Sequence, residues 1–259
     1  MNIVVFIKQV PDTTDVKWTK DNNIDRTQME SIMNPVDKQA VELALNLKEQ
    51  FNAKIIAITM GPNKAIEVLK EAIAMGVDDA VLLCDPKFAG SDTCATSKVL
   101  SSVIKEKFPE TNLILFGQSA IDGETSQTGT STAVRLNMPF ISHVKEIIGI
   151  EENIVTVNSE TETEKKTYKV NLPAVLCVNN YVLPPRIPRI NGYIKAQDYN
   201  YKTYNLYELN LMDNETGVKG SPTYVSKVYK TNDTRSCELM ESDYEYSVIT
   251  TIKEVMKNG

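Results

Sequence analysis

Apolar and polar positions along the first half of the chain switch regularly between two periods. "NIVVFIKQV" (2–10) is a short, β-branched apolar run, as a buried strand requires. "NPVDKQAVELALNLKEQF" (34–51) then presents a broad apolar helical face through Val41, Leu43, Ala44, Leu45 and Leu47. Asn34 can cap this helix, Pro35 suits its first position and Asp37 favours its first turn. "AKIIAITMG" (53–61) predicts a second strand, and "PNKAIEVLKEAIAMG" (62–76) a helix that Gly76 stops. "DAVLLCD" (79–85) is a third strand, followed by "SDTCATSKVLSSVIKEKF" (91–108), a helix begun by Ser91 or Asp92. "NLILFG" (112–117) is a fourth strand; after a polar stretch, "TGTSTAVRLN" forms a helix that ends at Asn137, before Pro139.

Strands alternating with helices predict βαβ units and a mostly parallel sheet covered on both faces. From about residue 140 the pattern changes. "HVKEIIGIEENIVTVNSETETEKKTYKVNLPAVLCV" (143–178) alternates around a polar turn and reads as antiparallel strands at the sheet edge. "NNYVLPPRIPRINGYIKAQ" (179–197) is rich in proline and reads as an extended, stiff segment. Beyond it the chain is aromatic and polar, with one amphipathic helix candidate, "YEYSVITTIKEVMK" (244–257). The expected division is an α/β domain over 1–198 and a C-terminal arm over 199–259 that has little core of its own and lies against its own domain or a partner.

Composition narrows the function classes. The 259 residues are 42% hydrophobic and 24% charged, as in an ordinary soluble globular protein able to bury a core without staples. A net charge of −6 argues against nucleic-acid binding and against electrostatic attachment to anionic membranes. No apolar run is long enough to span a bilayer, and the N-terminus reads as a strand rather than a secretion signal. Cys84, Cys94, Cys177 and Cys237 form no CxxC pair, which disfavours zinc and fits reduced thiols in the cytoplasm. His143, the sole histidine, sits in a strand-like stretch and is expected to be structural.

In an open parallel sheet, ligands bind outside the carboxyl ends of the strands. Here those ends are 6–8, 60–61, 84–85 and Gly117 with the loop behind it. That loop, within "FGQSAIDGETSQTGTSTAVRLNMP" (116–139), is long, polar and free of lysine. Gln127, Thr128, Gly129, Thr130, Ser131 and Thr132 stand where a helix begins, so outward backbone N–H groups, hydroxyls and the helix dipole can hold a phosphate, with Gly129 letting it approach the backbone. Asp122 and Glu124 would accept bonds from ribose hydroxyls or brace the loop's own N–H groups. An ordinary capped helix start explains the composition equally well; its place on the sheet favours nucleotide binding. GxGxxG, GxxxxGK[ST] and GxSxG are all absent, and no nucleophile–base pair stands out, so any redox chemistry would belong to a bound cofactor.

"VVFIKQVPDT", "NPVDKQAVELALNLKE", "ITMGPNKAIEVLKEAIAMGVDDAVLL", "AIDGETSQTG" and "YVLPPRIPRINGYIKA", in that order, resemble the β subunit of electron-transfer flavoproteins over nearly the whole chain. The resemblance implies a Rossmann-like, adenine-nucleotide α-hydrolase-like α/β domain. It further implies a heterodimer with an α subunit that holds an FAD, and an arm that wraps that subunit. Carried over by position, an adenine nucleotide would be touched by Phe6, Ile7, Lys8, Asn34, Pro35, Val36, Asp37, Met60, and by 120–131: Ala120, Asp122, Gly123, Glu124, Thr125, Ser126, Gln127, Thr128, Gly129, Thr130 and Ser131.

One branch of the family holds AMP in this subunit; the other holds a second FAD and splits electron pairs from NADH. "DGETSQTG", with Gly123 and Thr125, and "TGVKGSPTYV" (216–225) are similar to the FAD branch, whereas Thr128 and Thr130 depart from its usual valine and proline. Gly123 would leave room for the longer cofactor, unless it serves only a turn with positive φ. The resemblance also implies docking to an acyl-CoA dehydrogenase-type flavoenzyme through Ile190, flanked by Arg186, Arg189 and Asn191, and a low-potential acceptor such as ferredoxin or flavodoxin. On residue chemistry alone, Ile190 would instead pack on its own domain. A non-bifurcating carrier with structural AMP is the first alternative and a universal-stress-type nucleotide-binding module the second. A Rossmann dehydrogenase is disfavoured by the missing glycine fingerprint.

Overall fold

The computed structural model describes residues 1–12, 31–179, 184–224 and, near the C-terminus, 249, 252 and 253. The chain divides into two compact units, Met1–Ser226 and Lys227–Gly259. In the second, the three described residues are helical, and most of the 244–257 helix candidate, like Cys237, falls outside the described residues.

The first unit is a three-layer α/β structure. Strand β1 (Asn2–Phe6) leads through a small antiparallel pair, β2 (Gln9–Pro11) and β3 (Ser31–Met33), into helix α1 (Pro35–Phe51). The chain continues through β4 (Lys54–Met60), α2 (Ile66–Met75), β5 (Asp79–Leu83), α3 (Thr93–Lys107), β6 (Leu113–Gly117) and α4 (Thr128–Leu136). The last part comprises β7 (Phe140–Glu151), β8 (Ile154–Glu160), β9 (Lys165–Asn171), β10 (Ala174–Val178), α5 (Ile190–Asp198) and β11 (Lys202–Tyr204). The sheet has nine strands in the order β11-β5-β4-β1-β6-β10-β7-β8-β9.

Strict alternation builds the two cores. Ile3, Val5, Ile55, Ala57, Ala80 and Leu82 face α1 and α2, whereas Val4, Ile56, Ile58, Val81 and Leu83 face α3 and α4. This is why these strands read as continuous apolar runs rather than as alternating ones. Helix ends follow the expected chemistry in part. Gly76 stops α2 with φ 123°, and of the two candidates it is Asp92 that caps α3, accepting from Ala95 N at 2.9 Å.

Three expectations change. Residues 143–178 are not all antiparallel edge: β7, β8 and β9 pair antiparallel, but β10 is fully buried between β6 and β7 and parallel to both. "AVLCV" is apolar at every position, as a strand buried on both faces must be. The proline-rich segment is not extended throughout, because α5 starts as soon as the prolines end. Residues beyond 198 are in part integrated with the α/β layers: β11 pairs parallel with β5, and Leu206, Leu209 and Leu211 are buried in the α3-side core.

Candidate functional site

From β1 the chain moves outward to β4 and β5, then returns to β6 on the other flank of β1. The strand order therefore reverses between β1 and β6, the switch point outside whose strand ends an open α/β sheet holds its ligand crevice. The segments 6–8, 34–37 and 118–131 meet there.

One buried carboxylate joins the two strand ends. Asp37 accepts Lys8 N at 2.8 Å on Oδ2 and Gly117 N at 3.0 Å on Oδ1. Burial pushes its pKa from the ordinary 3.8 up to about 7, against the lowering effect of these N–H donors, of Asn34 and of the Lys8 charge. Gly117 is glycine because of this approach: a Cβ there would stand 2.3 Å from Asp37 Oδ1. Asn34 occupies the N-cap position of α1 but makes no capping bond. Its buried amide instead donates to Ser119 O at 2.9 Å and accepts Ile121 N at 3.3 Å, hanging the β6 loop on the start of α1. Gln118 ties the same loop to the far side, donating its N–H to Val178 O at 2.8 Å while its Oε1 accepts His143 N at 2.9 Å. This is the structural role of His143, which takes φ 54° where the β7–β10 register shifts.

The loop then turns outward. Gly123 N and Glu124 N donate to Ala120 O at 3.2 and 2.8 Å, and positive φ falls on Glu124 and Ser126 rather than on Gly123. Residues 122–127 are exposed. Lys8 Nζ reaches from the end of β1 to both carboxylate oxygens of Asp122, at 2.7 and 2.8 Å. Helix α4 begins at Thr128, and Gly129 packs it on the sheet: a Cβ would lie 2.4 Å from Cys177 Sγ. The glycine thus serves the close approach of α4 to β10. Arg135 holds α4 to α3 through Ser97 Oγ at 2.9 Å and Cys94 Sγ at 3.2 Å.

Not every expected side chain faces the crevice. Ile7, Asn34, Val36 and Asp37 are buried, and Phe6 stacks on Phe116 with centroids 4.8 Å apart. Pro35 is exposed, and Ala120, Thr128 and Ser131 are half-buried. Met60 stands apart at the end of β4, lining a cavity of about 540 Å³ with Asn63, Cys84, Asp85, Phe88 and Ser91.

The proline segment forms a second surface. Arg186 is not free: it pairs with Glu42 at 2.9 Å and Glu49 at 2.8 Å, and these carboxylates hold its guanidinium above the usual range. Arg189 and Asn191 line a cavity of about 670 Å³ beside it. Gly192 lets α5 approach α2, since a Cβ would fall 2.2 Å from Ala74 O. Ile190 is 79% exposed and Ile187 90% exposed, with Tyr193 and Ile194 exposed on α5. Sequence reading missed Ile187 and Ile194, although the spacing of 187, 190 and 194 is helical.

The electron transfer flavoprotein domain model matches residues 21–200. The electron transfer flavoprotein subunit beta of Thermoanaerobacterium thermosaccharolyticum is 37% identical over 98% of each chain. The chain belongs to the electron transfer flavoprotein β subunits. Subunit CarD of the caffeyl-CoA reductase-Etf complex of Acetobacterium woodii is 38% identical over 88% of this chain and 87% of its own. Protein FixA of Azotobacter vinelandii is 33% identical over 93% and 89%. Membership makes the chain an electron-transfer component that pairs with an α subunit, in a family generally associated with flavin or AMP, and sets aside the stand-alone stress-type module. Among the described residues no helix is long and apolar enough to cross a membrane, and no acidic, cysteine or histidine cluster could hold a metal.

Proposed function

We propose that this electron transfer flavoprotein β subunit belongs to the bifurcating branch and holds FAD rather than AMP at the β1–β6 switch point. Gly123 carries the reading. Its φ is not positive, and nothing lies within 4 Å of where a Cβ would stand, so neither backbone nor packing within this chain requires glycine. A glycine needed by neither is accounted for by a ligand passing over it, and FAD extends beyond the reach of AMP. The outward N–H groups at the start of α4 suit the phosphates, and Thr125, Ser126 and Gln127 are exposed beside them.

Bound there, FAD would supply the redox chemistry between NADH, an acyl-CoA dehydrogenase-type flavoenzyme reached through the α-subunit FAD, and ferredoxin or flavodoxin. The chain itself binds, orients and insulates. Ile187 and Ile190 form the apolar anchor for the dehydrogenase, on a segment that Arg186 and Gly192 brace against α1 and α2. Exposed Tyr207, Met212, Val218 and Tyr224 suit an arm that covers the α subunit, in the cytoplasm. CarD is by name a subunit of a caffeyl-CoA reductase-Etf complex, which is consistent with a partner enzyme that acts on CoA esters.

The alternative, a non-bifurcating carrier with structural AMP, is favoured by Thr128 and Thr130, which depart from the FAD pattern. Purifying the co-expressed heterodimer and counting released nucleotides after denaturation decides between them. Two FAD per pair is expected; one FAD and one AMP would refute the bifurcating assignment.

A further inference from the structure

The β6 loop, residues 118–127, contains no lysine or arginine but carries Asp122 and Glu124, an unfavourable charge balance for a phosphate site. Arg135 in the following helix is engaged with α3. The fold brings a cation from elsewhere: Lys8, just after β1, grips both oxygens of Asp122 at 2.7 and 2.8 Å. The two residues are 114 positions apart, and their side chains are 50% and 30% exposed, so the pair is weak and exchangeable. The main chain at Lys8 is rigid, with its N–H on Asp37 and its carbonyl accepting Asn34 N. Only the side chain is free to change partner.

We propose that Asp122 is the stored counter-ion of Lys8 rather than a ligand of the nucleotide, and that an arriving adenine-nucleotide phosphate displaces Asp122 from Lys8. This inference rests on the nucleotide reading of the crevice. The pair neutralises Lys8, so an arriving anion meets a competitor. When a phosphate takes Lys8, the released Asp122 carboxylate turns to solvent, while the loop stays held at Ser119, Ala120 and Ile121 on one side and at Gln127 on the other. Asp122 therefore works against phosphate affinity, whereas a carboxylate bonded to ribose would work for it.

The two roles predict opposite signs. The full chain, co-expressed with its α subunit and stripped of nucleotide, is titrated calorimetrically with AMP and with adenosine, which lacks the phosphate. Asp122→Asn should tighten AMP about two- to fivefold, the range of an exposed ion pair, and leave adenosine unchanged. Lys8→Met should weaken AMP several-fold, again without effect on adenosine, and adding Asp122→Asn to Lys8→Met should then change nothing. Weaker binding of both AMP and adenosine by Asp122→Asn would overturn the proposal in favour of a ribose contact, and additive effects in the double variant would overturn the exchange. Failure of the unsubstituted protein to bind either ligand would refute the nucleotide reading itself.

Discussion

Replacing Asp37 by asparagine tests the joint on which the crevice is built. The carboxylate accepts N–H groups from Lys8 and Gly117 on its two oxygens, and an amide keeps only one acceptor while turning an NH₂ towards the other donor. Leaving that buried N–H unsatisfied should cost about 1–3 kcal/mol at low pH, where wild-type Asp37 is neutral. The dependence on pH is more telling. Between the ordinary carboxylate value of 3.8 and about 7, the folded chain keeps a proton that the unfolded chain has released. This contribution to stability is complete below the ordinary value, declines as pH rises, and is gone above about 7. The separation of the two values corresponds to roughly 4 kcal/mol in all, of which roughly 2–3 kcal/mol is lost between pH 5 and 7. Asparagine has no such loss. The melting temperature of Asp37→Asn should therefore lie below that of wild type at pH 5, and the gap should close by about 5–10 °C by pH 8. Lys8 and Cys177 face the same carboxylate, but the Cys177 thiol is pushed up to about 12 and titrates outside this window. A gap that stays constant from pH 5 to 8 would refute the assignment of Asp37 as a carboxylate made costly by burial.

Gly129→Ala should lower the melting temperature by several degrees, the effect of about 1–3 kcal/mol of overpacking, because its Cβ would press on Cys177; thermal unfolding reads this directly. Gly123→Val should fold like wild type but release less FAD per heterodimer, since only the proposed cofactor meets the added side chain; an unchanged flavin count would refute the role proposed for this residue. Arg186→Ala leaves Glu42 buried without its partner and should both destabilise the chain and speed proteolysis between residues 184 and 190, measured by limited digestion. Ile187→Asp and Ile190→Asp should leave melting unchanged, because both side chains are exposed, and reduce electron transfer to the dehydrogenase in a reconstituted assay.

Much of the site's neighbourhood was legible along the chain because it depends on local period and on strand ends. The alternation of apolar runs with helical faces marked β1, β4, β5 and β6, and a long polar connection after Gly117 marked the loop. Lys8 and the loop after Gly117 follow from the rule that ligands bind at the carboxyl ends of parallel strands. Asn34 and Asp37 are instructive in the other direction. Their types and spacing match an ordinary helix start, and local reasoning assigned them to capping and to the dipole. In the folded chain both side chains turn to partners more than 70 residues away, Ser119 and Gly117, because α1 packs over the end of β6. A single chain cannot announce that neighbour.

The sequence by itself determined the layers, the parallel character of the central strands, the helix stop at Gly76 and the polar loop that opens the crevice, since each follows from residues close together along the chain. Tertiary structure decided the rest. It inserted "AVLCV" between β6 and β7, packed Gly129 against Cys177, locked Arg186 to Glu42, and carried Lys8 to an acidic loop. The reason is physical. Secondary structure answers to backbone propensity and apolar period over a few residues, whereas strand order and buried polar pairing are settled by which distant surfaces meet when both faces of the sheet are covered.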